Sequence, residues 1–212
     1  MTHLQDARRT DDTVAPAARG SARGFSLIEV LIVLACLAVV SGMAVPMMGS
    51  TLGSYRLSGD ARSLTSTLGL AKLRAASGFT RTRLFVDLAA NSFHVELWQK
   101  TGPGWVVDGG TVPLSPTVTF GIGVVAAAPP NTQAAIAQAP ACLGNDGAAI
   151  ANTACVIFNS RGIPVDAAGA PFGADAIYLT DNTAVMGITL SATGLTRLWR
   201  TNPTAVPSWA LL

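Results

Sequence analysis

The sequence predicts an α+β fold, one long N-terminal helix packed on antiparallel β-sheet, and three patterns predict it. From Val30 to Tyr55 there is no Asp, Glu, Lys, Arg or His, and about 20 apolar residues suffice to cross a bilayer as a helix. Leu57, Ala61, Leu64, Leu68, Ala71 and Ala75 then recur at alternating four- and three-residue spacing, which places them on one face of a helix. Beyond Gly78 the period becomes two. Leu84, Val86 and Leu88 alternate, Ala89-Ala90-Asn91 turns, and Phe93, Val95 and Leu97 alternate again, the pattern of a hairpin.

Each segment follows from its residues. Residues 1–24 form an Ala- and Arg-rich polar leader without periodicity, which is set apart from the fold. Residues 25–52 are the transmembrane half of the helix, interrupted by Gly42, Pro46 and Gly49. The missing amide and ring clash of Pro46 predict a kink. Residues 53–78 are the amphipathic half, with Arg56, Asp60, Arg62, Lys72 and Arg74 off the apolar stripe and Gly78 as its stop. Residues 79–212 are a β-rich domain. After the hairpin, strands are expected at Trp105–Val107, Val118–Phe120, Cys155–Phe158, Ala176–Leu179, Val185–Leu190 and Leu195–Arg200. The Ala- and Pro-rich stretch 126–140 carries no strand pattern and reads as a surface excursion.

Around Gly24 one acid stands inside an apolar run, Gly24-Phe25-Ser26-Leu27-Ile28-Glu29-Val30. An ionisable group in such a segment costs on the order of 2.5–3.5 kcal/mol at a bilayer centre, so Glu29 is expected to meet a partner. A secretory signal peptide with small residues at Gly42 and Ala44, or a signal anchor with an incidental Glu, would use the same apolar run and the leader arginines Arg8, Arg9, Arg19 and Arg23. Neither explains Gly24, Phe25 and Glu29 together.

Those three residues resemble the processing site of type IV prepilins and of the pseudopilins of type II secretion. The resemblance implies cleavage after Gly24 by prepilin peptidase, N-methylation of Phe25, and assembly in which Glu29 meets the Phe25 amine of a neighbouring subunit. In a medium of low dielectric that pair attracts strongly, and either charge alone is expensive. It also implies a single-pass inner-membrane protein with a periplasmic domain. Its partners would be other pilins, the peptidase, the assembly platform and lipid. The later segments Val156-Ile157-Phe158-Asn159-Ser160-Arg161-Gly162 and Thr193-Gly194-Leu195-Thr196-Arg197-Leu198-Trp199-Arg200 are similar to those of the GspH/FimT branch.

Some relatives in that branch bind DNA through arginines after the last hairpin glycine, which makes Arg197 and Arg200 candidate DNA contacts. Leu195 stands where the first such arginine would be. In a strand, residues three apart point to opposite faces, whereas binding to a nucleic acid backbone needs several phosphate contacts. Trp199 could stack on a base or pack on the sheet.

Composition narrows the remaining classes. The formal charge is +2, and losing the leader's four arginines with Asp6, Asp11 and Asp12 leaves +1, so net charge does not indicate nucleic-acid binding. His3 lies in the leader and His94 stands alone, so histidines assemble no metal site or catalytic triad. No phosphate loop or nucleophile elbow occurs, and the aspartates are scattered among turns. A structural, non-enzymatic subunit without cofactor is the expectation, with an enzyme on a membrane tether the less supported reading. Cys142 and Cys155 fall in the exported part, where oxidation is permitted, and a disulfide between them is the expectation, with two buried free thiols the less favoured reading. Cys36, in the apolar run, reads as a small packing residue.

Overall fold

A computed structural model describes residues 24–212, with the side chains of 43–51 outside the description. The expected leader, except for Gly24, also lies outside the described residues. The chain divides between Val45 and Pro46 into two compact units. Helix α1 runs Leu27–Ser77, close to the expected span. Its assignment is continuous at Pro46, and the kink expected there rests on a side chain outside the description.

In the second unit the helical stripe is the core. Leu57, Ala61, Leu64, Leu68, Ala71 and Ala75 are each at most 2% exposed, and they pack with inward residues of both sheets in one cluster. The helix stops before Gly78, as expected, although that glycine is not the left-handed residue of its cap. Thr80 N–H donates to Ala75 C=O and Phe79 N–H to Ala76 C=O, the bond pair of a Schellman cap. The left-handed residue of that cap is Phe79, φ 47°, and Gly78 precedes it.

Ten strands follow, in two antiparallel sheets. The first has order β3-β2-β1-β5-β6, with β1 Thr82–Asp87, β2 Ser92–Gln99, β3 Gly104–Pro113, β5 Thr153–Phe158 and β6 Pro164–Val165. The second has order β10-β9-β8-β7-β4, with β4 Thr119–Phe120, β7 Ala176–Thr180, β8 Val185–Leu190, β9 Thr196–Thr201 and β10 Ala210–Leu211. The α+β expectation and each expected strand are therefore present. Two-residue β6 and β10 were not foreseen, being too short for an alternating pattern. Strand β3 continues past Val107 because a bulge opposite Phe93 and Val95 accommodates Gly109 at φ 95°.

The 126–140 stretch has no strand, as expected, yet it is held to the sheet. Gln138 pairs like a backbone unit with Tyr178, its Nε2 donating to Tyr178 O and its Oε1 accepting from Tyr178 N, both at 2.9 Å. Ala139 N–H donates to Ala176 C=O, and Tyr178 Oη donates to Gln133 Oε1. The segment thus covers the flank of β7 beyond β4, and Ile122, Ile136 and Trp209 pack over buried Tyr178 and Val185. Burial raises the Tyr178 phenol well above its usual pKa.

Two glycine turns close over one lysine. Gly162 (φ 71°) follows β5 and Gly194 (φ 76°) precedes β9. A Cβ at Gly162 would stand 3.0 Å from Lys72 Cγ, and one at Gly194 3.0 Å from Lys72 Nζ. These are the two glycines of the late motifs, and both need the left-handed region.

Candidate functional site

In the first unit the N-terminal segment presents the predicted processing residues on an exposed helix start. Ser26 caps α1, its Oγ accepting from Ile28 N–H at 3.3 Å and its carbonyl from Glu29 N–H at 3.0 Å, as an N-cap serine does. Glu29 is the acid of the first helical turn, favourably placed against the positive end of the helix dipole. Phe25 and Glu29 border one shallow recess with Val30, Val33 and Leu34. Phe25 is 82% exposed, and the whole run 24–42 lies open, so this apolar surface has no partner within the described chain.

Among the described residues no helix is long and apolar enough to cross a membrane. The longest unbroken stretch of described helical side chains in the apolar run is 27–42, shorter than the ~20 residues a crossing takes. The transmembrane half expected over 25–52 continues into 43–51, whose side chains lie outside the description.

In the second unit, Cys142 and Cys155 are joined by a disulfide. It fastens the 142–152 loop to β5, where Cys155 N–H also donates to Pro140 C=O and Thr153 Oγ1 accepts from Cys142 N–H. Cys36 is a free, exposed cysteine.

Arg197 and Arg200 are not brought together. Both lie in β9, paired with Thr189 and Met186 of β8 respectively, and their odd separation turns them to opposite faces. Arg200 donates to Ser54 Oγ of α1 at 3.2 Å, whereas Arg197 is exposed. Trp199 packs on the sheet: it is 8% exposed and its Nε1 donates to Thr189 Oγ1 at 2.9 Å.

Two polar features, the Arg83–Glu96 pair and Asp175, were not legible beforehand. Arg83 is buried and paired with Glu96, with Nη1 on Leu143 O at 2.6 Å and the guanidinium 4.3 Å from the Trp105 ring centre. Burial lowers the Arg83 pKa, opposed by the hydrogen bond and charge of Glu96. His94 is tied to the same cluster, 3.3 Å from Glu96 and stacked on Phe85, which gives it a structural role. Asp175, immediately before β7, is 4% exposed, and its Oδ1 has no hydrogen-bond partner. A period-two reading assigns such residues to faces but cannot say which faces are covered by loops. Among the described residues no group of His, Cys, Asp and Glu could hold a metal ion.

No curated protein matches the chain. Among solved structures, the minor pseudopilin EpsH from the type 2 secretion system of Vibrio cholerae is similar at 10% identity over 74% of this chain and 96% of that one, with a TM-score of 0.34, too loose a superposition to carry an argument. Residues 19–45 match the family model described as the prokaryotic N-terminal methylation motif, so the chain carries that motif across Gly24, Phe25 and Glu29.

Proposed function

We propose that the chain is a structural minor pilin or pseudopilin: cut after Gly24 by prepilin peptidase, methylated on Phe25 and assembled through its N-terminal helix. The observation that carries this is the methylation motif over 19–45. The wholly exposed apolar start of α1, with Glu29 on the same recess as Phe25, supports it. Outside a membrane or a filament such a surface would be costly at about 25 cal/mol per Å² of apolar area. Residues 25–52 anchor the subunit in the inner membrane by this reading, and Pro46 bends the helix. The disulfide-bonded domain stands in the periplasm and meets sibling subunits of a type II secretion pseudopilus or a type IV pilus.

Within lipid the helices have no hydrophobic drive toward each other, so association rests on close packing and polar pairing. Glu29 and the Phe25 amine of a neighbour supply that pairing and set the register. The helix and the domain act by packing, without catalysis.

Intact mass of the protein purified from its membrane tests the reading. A chain beginning at Phe25 and heavier by one methyl group is the expected result, and a chain beginning at any other residue overturns it. The DNA-binding minor pilin of a competence pilus is the alternative use of the same fold. A gel shift that is lost in Arg197→Ala/Arg200→Ala would favour it.

A further inference from the structure

A cavity of about 240 Å³ opens beside the disulfide, between the loop entering β5 and the turn leaving β6. Its walls include Pro140, Leu143, Ile157, Val165 and Phe172, and Asp175 lines it with them. The walls are apolar and the one deeply buried polar group is an acid without a donor.

Asp175 is more than nine-tenths buried, and its Oδ1 meets no hydrogen-bond donor. Leaving a buried carboxyl unpaired costs free energy that native structures seldom accept without a compensating partner. The second ionisable residue of the lining is also an acid, Asp166, and no basic residue is among the lining groups. Asp166 already accepts from Ala170 N–H, so the unmet acceptor is that of Asp175. Burial raises the Asp175 carboxyl to about 7, as expected for an acid held without a cation.

The complement of such a site is an aliphatic stem carrying a positive head. We propose that this cavity is a socket for a lysine side chain of a partner polypeptide, its methylenes against Ile157, Val165 and Phe172 and its ammonium donating to Asp175. Long basic side chains bury their stems on apolar surface in this way. The compact ammonium suits a single carboxyl better than the five-donor guanidinium, most of whose N–H groups would stay unmet. The inference is independent of the reading of the N-terminal segment.

The test is an NMR titration of the full chain in detergent micelles, with labelled methyl groups and labelled aspartate carboxyls. The probes are Nα-acetyl-lysine N-methylamide and its norleucine counterpart, which keeps the stem and lacks the charge. The lysine probe should move the methyl resonances of Leu143, Ile157 and Val165 and lower the titration midpoint of Asp175, and norleucine should do neither. Asp175→Asn should weaken the lysine probe roughly tenfold, the equivalent of one pKa unit of pairing. Equal response to both probes would show an apolar groove only. No response, or an undiminished response in the Asn variant, would overturn the proposal, as would binding without a midpoint change. If the Asn variant does not fold, the wild-type midpoint decides.

Discussion

The ammonium of Lys72 donates to the carbonyl oxygen of Gly194, 3.3 Å away, so a helix residue off the apolar stripe is what the last hairpin turn rests on. The turn at Gly162 rests on the same side chain, and Gly162 O stands 3.3 Å from where a Cβ of Gly194 would be. One lysine therefore joins a turn of each sheet to the helix. Gly194→Ala should destabilise the domain by about 1–3 kcal/mol, from left-handed strain and the clash with Lys72. Urea unfolding measures it. A loss below a few tenths of a kcal/mol would show that the turn is not held as described.

The helix cap offers the opposite sign. Phe79 holds a left-handed conformation while 75% exposed, so its side chain contributes little packing to offset the strain. Phe79→Gly should stabilise by roughly 0.5–1 kcal/mol, the left-handed cost relieved less the extra unfolded-state entropy of glycine. The same unfolding measurement would show destabilisation instead if Phe79 served a packing role.

Removing the disulfide with Cys142→Ala/Cys155→Ala should cost about 3 kcal/mol in the chain-entropy model. The loss should concentrate in the 142–152 loop, so hydrogen exchange should rise there first. Uniform exchange across both sheets would contradict a local clamp.

Asp175 sets a pH dependence. Its folded pKa is raised to about 7 from 3.8, so between those values the unfolded chain binds fewer protons than the folded one. Stability should then fall as pH rises from about 4 to 7, by at most about 1.4 kcal/mol per pH unit, and level off above. Asp175→Asn should flatten that slope. A wild-type stability that rises over this window, or an unchanged slope in the variant, would refute the assignment.

For the N-terminal segment, Glu29→Ala should leave cleavage after Gly24 intact and reduce assembled filament roughly tenfold or more, because a neighbour's amine would be left unpaired in a low-dielectric setting. N-terminal sequencing and sheared-filament yield give the two readouts. Full assembly of the variant would remove Glu29 from the contact.

The helix and most strands were legible because their signals are periodic and repeated. Six stripe residues at four- and three-residue spacing report one buried face, and Leu84, Val86, Phe93 and Val95 report an inward strand face. Strands β6 and β10 were not legible, since two residues hold no period. The helix stop before Gly78 was legible, but the left-handed cap residue Phe79 beyond it was not, because a non-glycine at positive φ leaves no compositional sign. The processing residues stood out because an acid in an apolar run breaks a local rule. Asp175 and the Arg83–Glu96 pair did not, because only the return of the 140–145 loop over the sheet makes their surroundings dry.

Gln138 lends its amide to Tyr178 as a counterfeit peptide unit, and a side chain cannot pass the ladder on to a further strand as a backbone would. Copies crowded shoulder to shoulder would find that flank already zipped shut. Dense rows of this domain can then form without the sheets fusing across it, and Gln138 replaced by a residue unable to mimic a peptide would leave the margin sticky.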